Sequence, residues 1–150
     1  MVLNKKGIVS VTVFAIFYSI LELGMRWDPS YNSGSPLWMR EVFTPLISLY
    51  FYRVIYTALF LVPSYLASGK LWSLSTLWYL IYGSTLEDIA YWVMDLKIPY
   101  SWAWFYPVIK GIPLDDVFGI IALWLIYKHM KRKIRLLLLD KVKYRSYSSK

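Results

Sequence analysis

Four apolar segments, each close to the length that crosses a bilayer, alternate with short polar connections along the chain. They cover residues 7–23, 42–67, 71–94 and 112–130. A transmembrane helix needs about 20 predominantly apolar residues to cross a hydrocarbon layer of about 30 Å. The connections are rich in Gly, Pro, Ser and Asn, which favour turns and loops. The pattern therefore predicts an all-α fold, a polytopic membrane helix bundle with four transmembrane helices.

Composition agrees with a membrane protein. The 150 residues are 58% hydrophobic and 19% aromatic, and their mean hydropathy is +0.44. These values are high for a soluble domain. No small-residue cleavage site follows the first apolar segment, so we interpret it as an uncleaved span rather than a signal peptide. We predict a transmembrane domain over residues 1–130 and a basic cytoplasmic tail over residues 131–150.

The basic residues predict how this bundle is oriented. On this map 12 of the 17 Lys and Arg residues fall on one side, four fall on the other, and Arg53 lies inside the second span. Lys and Arg are enriched in cytoplasmic loops, so both ends of the chain are predicted to be cytoplasmic in a multi-pass protein of the cell membrane.

More than half of the basic residues lie in the segment 128–150. We interpret this segment as a topology signal and a contact for anionic lipid headgroups, and not as a nucleic-acid-binding region. Because residues 134–139 are largely apolar, the tail is predicted to extend the last helix or to lie along the interface.

Eight of the nine acidic residues fall within the spans or in the outer connections. A carboxylate inside a bilayer costs at least about 2.5 kcal/mol on insertion scales, so such groups are usually functional. Arg53, near the midplane, is the predicted counter-charge. Consecutive helical side chains diverge by about 100°, so Glu87 and Asp88 are expected to face different neighbours. The candidate catalytic residues are Glu22, Glu41, Arg53, Glu87, Asp88, Asp115 and Asp116.

Helix capping is an alternative explanation for several of these acids. Asp115 and Asp116 follow a proline in the first turn of a predicted helix, where the helix dipole favours negative charge. Glu41 admits the same explanation. The residues Ser84 to Glu87 fit a capping box, and Gly83 before them predicts a break in the third helix. A broken helix within a membrane is itself typical of a binding site.

Aromatic residues gather at the predicted outer interface. An aromatic belt is the common explanation for such residues. The alternative is a pocket in which aromatic faces and carboxylates bind a cationic intermediate or a hydrophobic, polyene-like substrate. The candidate residues for substrate lining are Tyr91, Trp92, Asp95, Trp104 and Phe118.

Cofactor chemistry is restricted by composition. The chain has no cysteine, and His129 is its one histidine. Thiolate nucleophiles, disulfides, Cys-type zinc sites and paired-histidine haem ligation are therefore excluded. We predict no bound cofactor. A Mg²⁺-dependent reaction on a lipid diphosphate is an alternative, because carboxylates suit this ion, but no DDxxD-type run is present.

One stretch follows the residue order of a known family. An Asp ends one predicted helix, a Trp-containing loop follows, and a Pro, an apolar residue, two acids and an aromatic open the next helix. The residues in this order are Asp95, Trp104, Gly111, Pro113, Leu114, Asp115, Asp116 and Phe118. The stretch resembles the small membrane-type lycopene cyclase domains. The resemblance implies a membrane fold that cyclises carotenoid ends by acid initiation without net redox change, with the paired acids as catalytic candidates.

The sequence thus favours a membrane enzyme that performs acid–base chemistry on a lipid or isoprenoid. Glu87 or Asp115 would donate the proton, with Asp88 and Asp116 as partners and Arg53 holding one acid ionised. The alternative is a non-catalytic subunit or assembly factor of a larger homo- or hetero-oligomeric membrane complex. A proton or solute pathway is a third reading, disfavoured because the inner halves of the helices are nearly uncharged.

Overall fold

The computed structural model describes residues 3–25, 45–95 and 107–148. Within these ranges the protein is all-helical apart from one short hairpin, which confirms the predicted all-α class. The helices are α1 (Lys5–Met25), α2 (Pro45–Ser68), α3 (Leu74–Asp95) and α4 (Leu114–Ser148), and the hairpin strands are β1 (Val108–Ile109) and β2 (Ile112–Pro113).

The helices differ in how well they meet the requirements for crossing a membrane. Among the described residues, the segment Lys5–Gly24 of α1 is long and apolar enough to span, and Arg53–Ser68 of α2 is a shorter apolar helix. In α3, hydroxyl groups, tyrosines and acids take the place of aliphatic side chains and lower the hydropathy. The start of the predicted second span, residues 42–44, lies outside the described ranges. The structure therefore supports one span directly, and four spans stay a prediction.

Helix α3 is the centre of the bundle. It packs against α1, α2 and α4, and α1 also packs against α2, whereas α1 and α4 touch each other at most marginally. Small residues allow this close packing, as is common for helices in membranes. A Cβ added at Gly83 would lie 2.8 Å from a Val11 methyl carbon and 2.9 Å from the Phe60 ring.

The predicted break at Gly83 is wrong. Helix α3 runs without interruption through this residue. Ser84 does not cap a helix start, because its hydroxyl donates to the carbonyl oxygens of Leu80 and Ile81 at 3.0 and 3.1 Å. The glycine instead provides the space in which α1 and α2 approach α3.

The two ends of the bundle carry opposite charges. The amide of Asn4 donates to the Tyr79 hydroxyl at 2.8 Å, and the Trp78 indole donates to the Leu123 carbonyl at 3.1 Å. These bonds bring the start of α1, the start of α3 and the middle of α4 to one end. Lys5, Lys6, Lys70 and Lys128 lie at this end, which we call the basic end. The described acidic side chains Glu22, Glu87, Asp88, Asp95, Asp115 and Asp116 belong to the opposite, acidic end.

A tight hairpin introduces α4 at the acidic end. Its strands pair Val108 with Pro113 and Ile109 with Ile112. Lys110 and Gly111, at the turn, both have positive φ values, 52° and 80°, as a two-residue type I′ turn requires. The hairpin fixes Asp115 and Asp116 in the first turn of α4. The helix then continues through the basic tail to Ser148 without a break at residue 130.

Candidate functional site: an acidic cluster between three helices

Acidic side chains from three helices meet at one end of the bundle. Glu22 comes from α1, Glu87 and Asp88 from α3, and Asp115 and Asp116 from α4. The charges of Glu22 and Asp116 both act on Glu87, and all four other acids act on Asp88. The five residues therefore form one group, which we call the acidic cluster.

Glu87 is the most enclosed member of the cluster, with no exposed surface. Its Oε2 accepts a hydrogen bond of 2.6 Å from the Tyr56 hydroxyl of α2, which also lies 3.3 Å from the carbonyl oxygen of Ser84. Its Oε1 accepts no hydrogen bond within the described part of the chain. A buried polar atom without a partner is costly and calls for an explanation.

Two tyrosines complete the walls of the cluster. Tyr18 of α1 shares a hydrogen bond with Glu22, one helical turn further along the same helix. The ring of Tyr18 lies edge-on to Tyr56 and Phe60, with centroids 5.9 and 5.6 Å apart. Sequence reasoning missed both tyrosines. The four-residue spacing of Tyr18 and Glu22 was a usable signal, whereas nothing in the sequence links Tyr56 to an acid on another helix.

The paired acids of α4 differ in their surroundings. Asp116 is 8% exposed and points toward α3, whereas Asp115 is exposed. One turn later Gly119 packs so closely on Thr85 that an added Cβ would clash with the threonine hydroxyl. Among the described residues, no hydrogen bond reaches Asp116 Oδ1. Asp116 is therefore held in the cluster by the close packing of α4 on α3.

The acids of the cluster differ in how far they are exposed. Helices α1 and α4 flank α3, but they make little contact with each other. Glu22 and Asp88 are half-buried and Asp115 is exposed, while Glu87 and Asp116 are buried. The cluster therefore contains both enclosed and accessible acids.

The remaining predicted site residues are distributed around this core. Tyr91, Trp92 and Asp95 are half-buried on α3, and the Tyr91 and Trp92 rings meet edge-on at 5.1 Å. Arg53 and Phe118 have exposed side chains, so the counter-charge and lining roles assigned to them stay predictions. The predicted site residues Glu41 and Trp104 lie outside the described residues.

Buried apolar side chains lie between the cluster and the basic end. Val11, Ala15 and Phe60 are fully buried around Gly83. Hydroxyl groups occur at the same level, because those of Thr12 and Tyr82 share a hydrogen bond of 2.7 Å. At the basic end, Ser68 and Thr76 share a hydrogen bond of 2.7 Å, and the Thr76 hydroxyl also bonds to the Lys70 carbonyl.

Metal ligation has no support in the geometry. Within the ranges 3–25, 45–95 and 107–148, no three His, Cys, Asp or Glu side chains are placed to hold a metal ion together. The acids of the cluster are near enough to influence one another.

Comparison with known proteins gives one informative likeness. The chain is 31% identical over 108 residues to a protein of Acidianus filamentous virus 2 (isolate Italy/Pozzuoli) named "Putative transmembrane protein ORF202". The match covers 72% of this chain and 44% of the viral protein, so the chain spans less than half of that protein's length. No protein-family model matches the chain, and no solved structure matches it.

Proposed function

We propose that the protein is an integral membrane protein whose four helices all span the bilayer. The buried positions are mostly small or hydroxyl-bearing, whereas large apolar side chains face outward. Continuous apolar surface of this kind is typical of contact with a membrane or a protein partner. The likeness to a protein named as transmembrane and the apolar helix α1 support the same conclusion. Outward-facing examples are Val9, Phe17, Val54, Leu66, Ile120 and Trp124.

Within that membrane, we propose that the acidic cluster performs acid–base chemistry on a lipid or isoprenoid. The observation that carries this proposal is Glu87, which is fully buried, hydrogen-bonded through one oxygen and without a described partner at the other. Low-dielectric surroundings favour the neutral form of a carboxyl group, and a neutral carboxyl group can donate a proton. A hydrophobic molecule would reach it from the side of the cluster on which Glu22, Asp88 and Asp115 are partly or fully exposed.

Each residue has a definite part in this chemistry. Glu87 transfers its proton to a carbon–carbon double bond, which leaves a carboxylate on Glu87 and a cation on the substrate. Loss of a different proton from the substrate to a cluster carboxylate, that of Asp88 or Asp116, ends the reaction. No electrons are gained or lost overall, so the product is an isomer. Tyr56 is a positioning residue, because its hydroxyl holds Glu87 Oε2.

The resemblance of the Asp95–Phe118 stretch to small membrane-type lycopene cyclase domains agrees with this class of reaction. On that basis we propose carotenoid-like ends as substrates. Asp115 and Asp116 are the residues that carry over from the family pattern. Asp116 is the better placed of the two, since it is buried and its charge acts on Glu87, whereas Asp115 is exposed.

Lipid profiling tests the proposal. Membranes of an isoprenoid-producing host would be extracted and analysed by mass spectrometry with the empty vector, the wild-type protein, Glu87→Gln and Asp116→Asn. We expect an isomeric product with the wild-type protein and a loss of at least tenfold in both variants at equal membrane yield. Lipid profiles of the wild-type protein and the empty vector that do not differ would reject the enzymatic function.

A non-catalytic subunit is the second candidate, and helix α4 favours it. This helix is anchored mainly by α3 and exposes most of its circumference. A subunit would bury that surface against a partner chain, whereas an enzyme acting alone would leave it to lipid. Replacing Ile120 and Trp124 with serine separates the two, because it would weaken co-purification of a partner in one case and leave the lipid product unchanged in the other. The exposed apolar residues include Val117, Phe118, Ile120, Ile121, Trp124 and Leu125.

A further inference from the structure

An open groove lies along the first half of α1, at the basic end of the bundle. It has a volume of about 480 Å³ and is lined by Lys5, Lys6, Val9, Ser10 and Val13. These residues follow one another at spacings of three and four, so they share one side of the helix. The groove is remote from the acidic cluster, which lies at the other end of α1.

The groove is lined by basic residues at one end and by apolar residues further along the helix. Lys5 and Lys6 stand at its outer end, and both are exposed. Val9 and Val13, 62% and 61% exposed, form an apolar floor further along the helix. Two cationic groups followed by an apolar track match a molecule with an anionic head and a hydrocarbon chain.

We infer that this groove binds an anionic membrane phospholipid. The phosphate group would lie between the ammonium groups of Lys5 and Lys6, near the hydroxyl of Ser10. One acyl chain would run over Val9 and Val13 toward the bilayer centre. Lysine side chains reach the headgroup region while their methylene stems remain on the apolar surface.

The charges of the surrounding helices make the two lysines available for such a lipid. The acidic side chains whose burial the structure describes, those of Glu22, Glu87, Asp88, Asp95, Asp115 and Asp116, belong to the opposite end of the bundle, so none of these six competes for the ammonium groups. The amide of Lys6 is already hydrogen-bonded to the Asn4 side chain at 3.0 Å. Binding therefore depends on the lysine side chains and not on the free amides of the helix start.

The position of the groove fits the leaflet that carries anionic lipid. Lys5, Lys6, Lys70 and Lys128 share one end of the bundle, and basic residues mark the cytoplasmic side of a membrane protein. Each lysine near an anionic membrane surface contributes a factor of about five in affinity, so the pair contributes about 30-fold. The groove adds selectivity through its apolar floor.

Native mass spectrometry of the full chain in detergent, titrated with phosphatidylglycerol or phosphatidylcholine, tests this inference. We expect the wild-type protein to retain phosphatidylglycerol preferentially and Lys5→Gln/Lys6→Gln to lose about 30-fold in affinity. Val13→Trp, which fills the groove without changing charge, should also weaken binding. The matched control is Lys70→Gln/Lys110→Gln, which removes two exposed lysines outside the groove and outside the basic tail and should leave the affinity unchanged.

Three results would overturn the inference. An equal loss in the Lys70→Gln/Lys110→Gln control would show diffuse attraction to basic residues and no groove. Unchanged affinity in the Val13→Trp variant would show that no acyl chain occupies the apolar floor. Displacement of the lipid by inorganic phosphate at similar concentration would identify a free anion, rather than a lipid, as the ligand.

Discussion

Replacing Tyr56 with phenylalanine removes one hydroxyl group from the acidic cluster and keeps the aromatic ring. The ring packs on Phe60 at 4.8 Å and on Tyr18 at 5.9 Å, and phenylalanine preserves both contacts. The change therefore isolates the 2.6 Å hydrogen bond that Tyr56 donates to Glu87. We expect the Tyr56→Phe variant to fold with a lower free energy of unfolding.

The size of this loss follows from the burial of Glu87. Side-chain hydrogen bonds within membranes contribute about 0.6 kcal/mol on average and about 1.7 kcal/mol at most. Leaving a buried acceptor without its donor costs about 1–3 kcal/mol. Glu87 has no exposed surface, and its second oxygen has no described donor. We therefore expect a loss near the upper membrane value, about 1.5 kcal/mol.

A double-mutant cycle measured by equilibrium unfolding in mixed micelles separates this bond from other effects. In the Glu87→Leu background the carboxylate acceptor is absent and only the longer 3.3 Å contact with the Ser84 carbonyl remains, so the loss of the Tyr56 hydroxyl should cost little. The coupling energy between the two positions should then be about 1.5 kcal/mol, within the usual range for contacting residues. Tyr65→Phe is the matched control, because Tyr65 lies on the same helix and is 44% exposed. An equal cost of Tyr56→Phe in both backgrounds would refute the reasoning.

Two further predictions concern helix contacts and use the same unfolding assay. Gly83→Ala should lose about 1–3 kcal/mol, because the new methyl group would lie 2.8 Å from Val11. Gly24→Ala, in open space on α1, is its control and should be neutral or stabilising. Gly119→Val should separate α4 from α3 by clashing with Thr85, and should lower any lipid product along with the free energy of unfolding. An unchanged free energy of unfolding in Gly83→Ala or in Gly119→Val would contradict the packing described here.

Much of the helical architecture could be predicted from the sequence. The lengths of apolar segments locate both ends of α1, α2 and α3 and the start of α4 to within a few residues, because hydrophobic length is a local property. The basic tail was expected to extend the last helix or to lie along the interface, and α4 runs through it to Ser148. The hairpin before α4 was not foreseen, although Lys110-Gly111 is compatible with a tight turn.

Features that depend on contacts between helices were harder to predict. Gly83 was interpreted as a helix break, since a glycine at a break and a glycine under close packing look alike in one sequence. Tyr56 was missed because its acceptor, Glu87, is 31 residues away on another helix. The expected divergence of Glu87 and Asp88 needed only helical geometry, and Glu87 is indeed buried while Asp88 is half-buried.

The functions proposed above require a helix bundle that crosses the membrane with its acidic end outside and its basic end in the cytoplasm. The absence of native cysteine makes this directly measurable by sided labelling. Lys110→Cys places a thiol in the hairpin at the acidic end, and Lys70→Cys places one in the turn between α2 and α3 at the basic end. In intact cells a membrane-impermeant maleimide should label the Lys110→Cys variant, and it should label the Lys70→Cys variant only after the membrane is permeabilised. Labelling of both variants from the same side would contradict the account.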